Sequence, residues 1–373
     1  MSVTVPAPSA TGSAAPSTAR LRFLDVARGW AMIGVVLMNT SYFVHQVPEP
    51  GLVTDLVDSA ATLLFSNRAR TLLMILLGIG VVLTWRSTVR RGGRPGPLLL
   101  RRYVALFVVF GLAHRAVFHG DILTHYALVA LPLIALLPWL LAGRAWRPLA
   151  LAAGCLPLGI AAGVVIPDAP FELALAPQTL TAFAAGVWLG RLLGDPELHA
   201  GPRARRAAVR VLLGGLAIAV AGLVTALAGQ VVLGPRRFGA DGVPLPPTVA
   251  ESAVIFTGGT LLMMGGALLY FGLVWRLADG DGPVSRALGL LAPLGRMSLT
   301  VYLGSTVVFL LVETVLGAQT TPGVLFAAGL GYLVVMGIGC AYWLRAFRWG
   351  PAEWLWRVIG YLRPLPLRVA SGR

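Results

Sequence analysis

Lysine is absent from the 373-residue chain, and all thirty of its basic residues are arginine. We read this as the codon usage of a GC-rich genome rather than as a guanidinium-specific task. Cysteine is nearly absent. Cys155 and Cys340 lie far apart in apolar segments, which leaves no disulfide framework and no thiolate metal site, and both read as packing residues. Charge is scarce as well: 12% of residues are charged against 57% hydrophobic, with a mean hydropathy of +0.80, and that balance excludes a water-soluble single domain. Strict alternation of apolar and polar residues is missing, which excludes a β-barrel. No Gly-rich phosphate loop follows a strand, no Cys/His spacing suits a metal, and no defensible internal repeat is visible.

What is present is a series of apolar stretches close to the roughly 20 residues that cross a bilayer. The predicted fold class is therefore all-α, a polytopic transmembrane helical bundle. Ten spans are expected, over 26–44, 57–85, 103–118, 122–142, 148–166, 176–193, 208–234, 250–275, 287–314 and 322–344. Residues 1–24 form an expected disordered tail, 25–345 the membrane domain, and 346–373 an interfacial amphipathic helix and tail, with Trp and Arg interleaved over Gly350–Arg357. No signal-peptide cleavage pattern follows Arg28, so the first span is expected to be retained.

The net charge of +15 raises the question of nucleic acid, and its distribution answers it. Threading the chain through ten spans puts 24 arginines on one side and only Arg115, Arg236 and Arg237 on the other, with Arg68, Arg70 and Arg296 inside spans. The positive-inside rule then makes both termini cytoplasmic, and no nucleic-acid partner is expected.

Ionisable residues within spans are costly, and each is a functional candidate. The densest group is His114-Arg115 followed by His119-Gly120-Asp121 and His125-Tyr126. His114 lies eleven residues beyond Tyr103, about 17 Å at helical rise, in the outer half of the membrane. Asp121 and His125 are four apart, a spacing at which a carboxylate on the same helical face orients an imidazole for acid/base work. His119 reads as a solvated loop residue. Asn39, Tyr42 and His45 at the outer end of the first span, with Asp55 and Asp58 beyond, converge on the same side; for His45 an interfacial role competes with catalysis. Arg68 and Arg70 interrupt the second span, either lining a cavity for an anionic ligand or marking a break near an interface. Arg296, Ser298, Thr300 and Tyr302 form a polar strip in the ninth span, where Pro293 and Gly295 can open the backbone. A structural ion pair with Asp25 or Glu313 is the competing role for Arg296.

Four strings in order carry a resemblance: Leu24-Asp25-Val-Ala-Arg28-Gly29; Gly111-Leu-Ala-His114 with Gly120-Asp121-Ile-Leu and Tyr126; Gly295-Arg296-Met with Leu299-Thr300 and Tyr302; and Trp343-Leu-Arg345 with Gly350-Pro-Ala-Glu353-Trp-Leu-Trp-Arg357. Together they resemble the YeiB-like family of polytopic membrane proteins (domain of unknown function 418). That family is similar in turn to transmembrane acyltransferases such as heparan-α-glucosaminide N-acetyltransferase. The resemblance implies a protein of the bacterial plasma membrane that takes acyl-CoA, acetyl-CoA included, as cytoplasmic donor and delivers the acyl group to an extracytoplasmic sugar or glycan. It gives the catalytic role to His114 with Asp121, with His45 and His125 ranked below. Arg28, Arg68, Arg70, Arg296 and Tyr302 are expected to hold the donor, and Asn39, Tyr42 and Tyr126 the acceptor. Val301 and Ser305 stand where the family often has Asn and Gln.

The competing class is a permease or lipid transporter in which the intramembrane Arg, Asp and His residues line a path, although no inverted halves are visible. A non-catalytic membrane partner is a third reading. Membrane lipids are expected partners, and small-xxx-small spacings are compatible with a homodimer.

Overall fold

Proline and glycine punctuate the helices of this computed structural model, which describes residues 21–44, 64–65, 67–165, 171–234, 237–238, 245–278 and 280–369. Prolines 95, 202, 283, 293, 322 and 351 stand in first turns, where their missing N–H costs nothing. The helices are α1 (Arg22–Asn39), α2 (Arg68–Arg90), α3 (Pro95–Arg115), α4 (Leu123–Leu141), α5 (Arg147–Val165), α6 (Phe171–Leu192) and α7 (Gly201–Leu233). After them come α8 (Val249–Ala278), α9 (Pro283–Gly289), α10 (Ala292–Arg296), α11 (Ser298–Leu316), α12 (Pro322–Ala346) and α13 (Pro351–Tyr361). Among the described residues β structure is confined to isolated bridge positions, Phe347 with Arg368 and one at Phe238, so the class is all-α.

Among the described residues eight helices are long and apolar enough to cross a membrane: α2, α3, α4, α5, α7, α8, α11 and α12. The other two expected spans, 26–44 and 176–193, correspond to α1 and α6. α1 packs three charges, Arg22, Asp25 and Arg28, into 18 residues, and α6 carries the polar run Gln178-Thr179 with Thr181. Both are nevertheless helices packed within the bundle. In the second expected span the helix α2 starts at Arg68, immediately after Asn67 in a left-handed conformation (φ 56°), and the expected start at 57 lies outside the described residues. The ninth is broken into α9, α10 and α11, with Pro293 in the first turn of α10 and a backbone break at Met297. α1 starts at Arg22, three residues inside the expected tail, whose residues 1–20 lie outside those described.

α1 is the hub. Thirteen of its 18 residues are buried, and it packs on α2, α8, α10, α11 and α12. Near its start Phe23 stacks on Trp275 (5.4 Å) and meets Phe271 edge-on. α7, by contrast, leans on α8 alone for nearly all its packing, and only 11% of its span is buried. The contact is a ladder of glycines at seven-residue intervals, Gly215 and Gly222 on α7 against Gly258 and Gly265 on α8. A Cβ at Gly265 would lie 2.2 Å from the Ala219 amide nitrogen, and one at Gly222 would lie 2.6 Å from that of Leu262. The two backbones touch, and no larger residue fits.

The bundle has two chemically different ends. At one, Arg22 donates to Ser285 O (3.2 Å), Arg86 to Gly190 O (3.3 Å), Arg101 to Gly360 O (3.0 Å) and Arg296 to Arg348 O (3.3 Å), so guanidiniums answer the carbonyls of helix ends and loops. Leu21 and α13 both lie at this arginine end. The opposite end, formed where α1 and α3 finish and α2 and α4 start, holds His114, His119 and His125.

Candidate functional site

The site is assembled by a turn. α3 widens into a π-helical segment over Leu106–Gly111, a local rewinding that re-aims the residues after it. Gly111 then lets α3 touch the start of α4: a Cβ there would sit 2.8 Å from the Thr124 hydroxyl and 2.9 Å from the Thr124 amide. The chain reverses through Ala116–Ile122, and Asp121 turns back toward α3. Its carboxylate accepts from the Leu123 amide (3.2 Å) and the Thr124 amide (2.8 Å), satisfying the open N–H groups of α4, and meets His114 Nδ1 at 2.7 Å.

An ionised carboxylate only accepts, so Nδ1 carries the proton and Nε2 is left facing the Thr306 hydroxyl at 2.9 Å. When the ring is neutral, Thr306 donates to Nε2. The order hydroxyl, imidazole, carboxylate is that of a general-base relay. All three groups are buried, His114 at 5% exposure and Asp121 and Thr306 at 2% each. Burial alone would raise the Asp121 carboxyl, but the hydrogen bonds from His114 and Thr124 outweigh it and hold that carboxyl below its ordinary value. Around the imidazole stand Tyr302 (ring centroids 4.8 Å) and Phe118 (5.3 Å), and the Tyr302 hydroxyl accepts from the Ile122 amide at 3.2 Å.

Beside this knot a cavity of about 210 Å³ is lined by Asn39, Tyr42, Asn67, Arg70, Gly120 and Ile122, with apolar residues of α1 behind them. Asn39 is 7% exposed, and its Nδ2 has no hydrogen-bond partner among the described residues. Tyr42 is exposed and meets Phe118 edge-on. The acceptor-side expectations Asn39 and Tyr42 therefore share one cavity next to His114. Tyr126 does not line it, since its buried hydroxyl donates to Arg70 O (3.0 Å) and ties α4 to α2.

Several expected groupings are redrawn. His125 is not oriented by Asp121: the carboxylate precedes the first turn of α4 instead of lying on its face, and His125 Nε2 pairs with Thr179 at 2.8 Å on α6. Arg68 and Arg70 begin α2 at the histidine end, where Arg68 lies against Gly266 of α8, whereas Arg28 and Arg296 lie at the arginine end. The arginines expected to hold one donor are thus divided between two ends. Arg28 pairs with Asp25 at 3.4 Å. Tyr302, expected beside Arg296 at the donor, belongs with His114. His119 is exposed, and His45, Asp55 and Asp58 lie outside the described residues.

Two residues carry more than the sequence suggested. Thr306 completes the His114 contact; its signal was the four-residue step from Tyr302, which puts both on one face of α11. Glu353, 6% exposed on α13, accepts from the Leu299 amide (2.6 Å), the Thr300 amide (3.2 Å) and the Thr300 hydroxyl (2.7 Å). It caps the helix that carries Tyr302 and Thr306. Burial pushes the Glu353 carboxyl above its ordinary value in spite of these bonds.

Residues 198–363 match a family described as "Protein of unknown function (DUF418)". The matched part includes Arg296, Tyr302, Thr306 and Glu353 and stops short of His114 and Asp121. The chain is 24% identical to the "Uncharacterized protein YxaH" of Bacillus subtilis (strain 168), over 93% of this chain and 96% of that one. It is 27% identical to the "Uncharacterized 39.9 kDa protein in amylase 3'region" of Bacillus acidopullulyticus, with the same coverage. Eight candidate spans and bacterial relatives make this a multi-pass membrane protein, consistent with the plasma membrane of a bacterium.

Proposed function

We propose that the protein is a transmembrane acyltransferase that moves an acyl group from acyl-CoA, acetyl-CoA in the simplest case, to a hydroxyl or amine of an extracytoplasmic sugar or glycan. The observation that carries the reading is a hydroxyl 2.9 Å from the Nε2 of a buried histidine whose Nδ1 is held by a carboxylate. An acceptor hydroxyl taking the place of the Thr306 hydroxyl gives its proton to Nε2, its oxygen forms the bond to the thioester carbonyl carbon, and the C–S bond breaks. The CoA sulfur leaves with the pair and takes a proton, leaving the imidazole neutral once more. The 210 Å³ cavity with Asn39, Tyr42 and Arg70 is the acceptor's approach. Arg28 and Arg296, at the other end, are the groups offered to the donor's phosphates. In this reading both termini are cytoplasmic and the histidine end is extracytoplasmic.

Purified protein in nanodiscs, given acetyl-CoA labelled in the acetyl group and a glycan acceptor, should release CoA and label the acceptor. His114→Ala should lower that rate by about a hundredfold or more. A stable, correctly inserted His114→Ala protein with wild-type rate removes the mechanism, and a wild type that moves solute without consuming acyl-CoA replaces the reading with a permease. For the topology, Gly317→Cys should react with an impermeant thiol reagent from outside intact cells and Gly92→Cys should not.

A further inference from the structure

We infer that the arginine end of the α7–α8 hairpin is a binding site for the phosphate headgroup of an anionic phospholipid. Arg205, Arg206 and Arg210 of α7 and Arg276 of α8 surround an open concavity of about 310 Å³, with Val209 at its floor. All four arginines are exposed, and none of their side chains has a hydrogen-bonding or ionic partner among the described residues. Other arginines at this end are engaged, although the exposed Arg90, Arg91 and Arg94 also lack a side-chain partner among the described residues. Arg22, Arg86, Arg101, Arg191 and Arg296 donate to carbonyl oxygens, and Arg203 pairs with Glu197. Four guanidiniums turned into one hollow repel one another unless an anion lies among them, and phosphate matches their planar forks of donors.

The surface below the hollow identifies the source of that phosphate. Val209, Leu213, Leu216 and Val220 follow one another at helical spacing on the exposed face of α7, a single apolar stripe that starts inside the concavity. The stripe continues through Leu223 and Leu227, and its first eleven residues, Val209 to Val220, cover roughly 16 Å, about the depth of one leaflet of a ~30 Å hydrocarbon core. A charged hollow at the head of that stripe suits a lipid: phosphate among the arginines, acyl chain along α7. The glycine ladder adds a reason for the site's place. With α7 and α8 backbone to backbone at Gly215 and Gly265, no described side chain from between the helices fills the hollow, and among the described residues α7 has no other neighbour over most of its length. A bound lipid would supply the packing that the protein does not.

The test uses the full chain, delipidated in neutral detergent, with phosphatidylglycerol and phosphatidylcholine of the same acyl chains, read by native mass spectrometry. Wild type should retain phosphatidylglycerol in preference. The R205Q/R206Q/R210Q/R276Q protein should bind it at least tenfold more weakly with phosphatidylcholine unchanged, and the control R90Q/R91Q/R94Q, altered at the same end of the bundle, should bind as wild type does. Equal losses in both variants, or no preference in wild type, overturns the site. Displacement of phosphatidylglycerol from wild type by excess acetyl-CoA also overturns it, by giving the arginines to a soluble phosphate ligand. Should the fourfold variant fail to fold, Val209→Cys carrying a fluorophore decides: brominated phosphatidylglycerol must quench it more strongly than brominated phosphatidylcholine, and equal quenching refutes the proposal.

Discussion

Two buried carboxylates at opposite ends of the bundle do the same local job with different partners. Asp121 receives two amides at the start of α4, and Glu353 receives two at the start of α11. Asp121 is two and three residues from its amides and adds a histidine at 2.7 Å. Glu353 reaches across 53 and 54 residues of sequence and adds only the Thr300 hydroxyl. Amide hydrogen bonds stabilise both anions, yet Asp121 is held below its ordinary value and Glu353 is pushed above it. Burial outweighs the hydrogen bonds at Glu353 and is outweighed at Asp121, where the imidazole adds to them. A helix cap alone does not offset burial at Glu353, whereas a cap combined with His114 does at Asp121.

The largest test of this comparison is Asp121→Ala. It leaves the His114 ring and two helix-start amides without their acceptor, and should cost about 3 kcal/mol, read as a fall in melting temperature by tryptophan fluorescence in detergent. A loss under 1 kcal/mol would mean that the turn holds His114 without the carboxylate. Glu353→Ala should cost less, about 2 kcal/mol, since an uncharged hydroxyl and two amides lose their acceptor and the first turn of α11 keeps some access to the interface. Because α11 carries Tyr302 and Thr306, the same substitution should lower acyl transfer even though Glu353 touches neither His114 nor the cavity. Thr306→Val should be milder still, about 1 kcal/mol, as one hydrogen bond is lost and the shape is kept. Its sharper readout is the rate: if an acceptor hydroxyl takes the Thr306 position, the variant stays active, and if Thr306 is itself acylated, it does not.

How much of this was legible follows from sequence separation. His114 and Asp121 are seven apart, and their pairing was within reach of the motif that contains them. The assignment of Asp121 to His125 failed for a local reason: a four-residue step has its helical meaning only when both residues lie inside the helix, and Asp121 stands before it. Thr306 lies 192 residues from His114, and only the packing of α11 on α1 brings it there. Arg68 and Arg70 were grouped with Arg296 by charge, although a helix starting at Arg68 and another starting just after Arg296 place them at opposite ends. The glycines of α7 and α8 were readable as a seven-residue period in each helix. A period confined to one residue type leaves no wider internal similarity, so it does not register as a repeat.

The smallest expected effect is the most direct separation of the two carboxylates, because it asks only for opposite slopes with pH. Asp121, lowered from an ordinary 3.8, contributes stability that is present above that value and is lost as pH falls through its folded value. Glu353, raised from an ordinary 4.5, contributes stability that is fully present below 4.5 and is lost as pH rises through its folded value. Relative to Glu353→Gln, the wild type should therefore lose melting temperature as pH climbs above 4.5. Relative to Asp121→Asn, it should lose melting temperature only on acidification below 4. Taking each wild type against its own amide variant cancels the titration of every other group, His114 included where its environment is unchanged. If both differences run in the same direction, the imidazole is not what distinguishes the two ends. If the Glu353→Gln difference is flat, the cap on α11 is as well solvated as an ordinary interfacial one, and α13 is not seated against α11 as described.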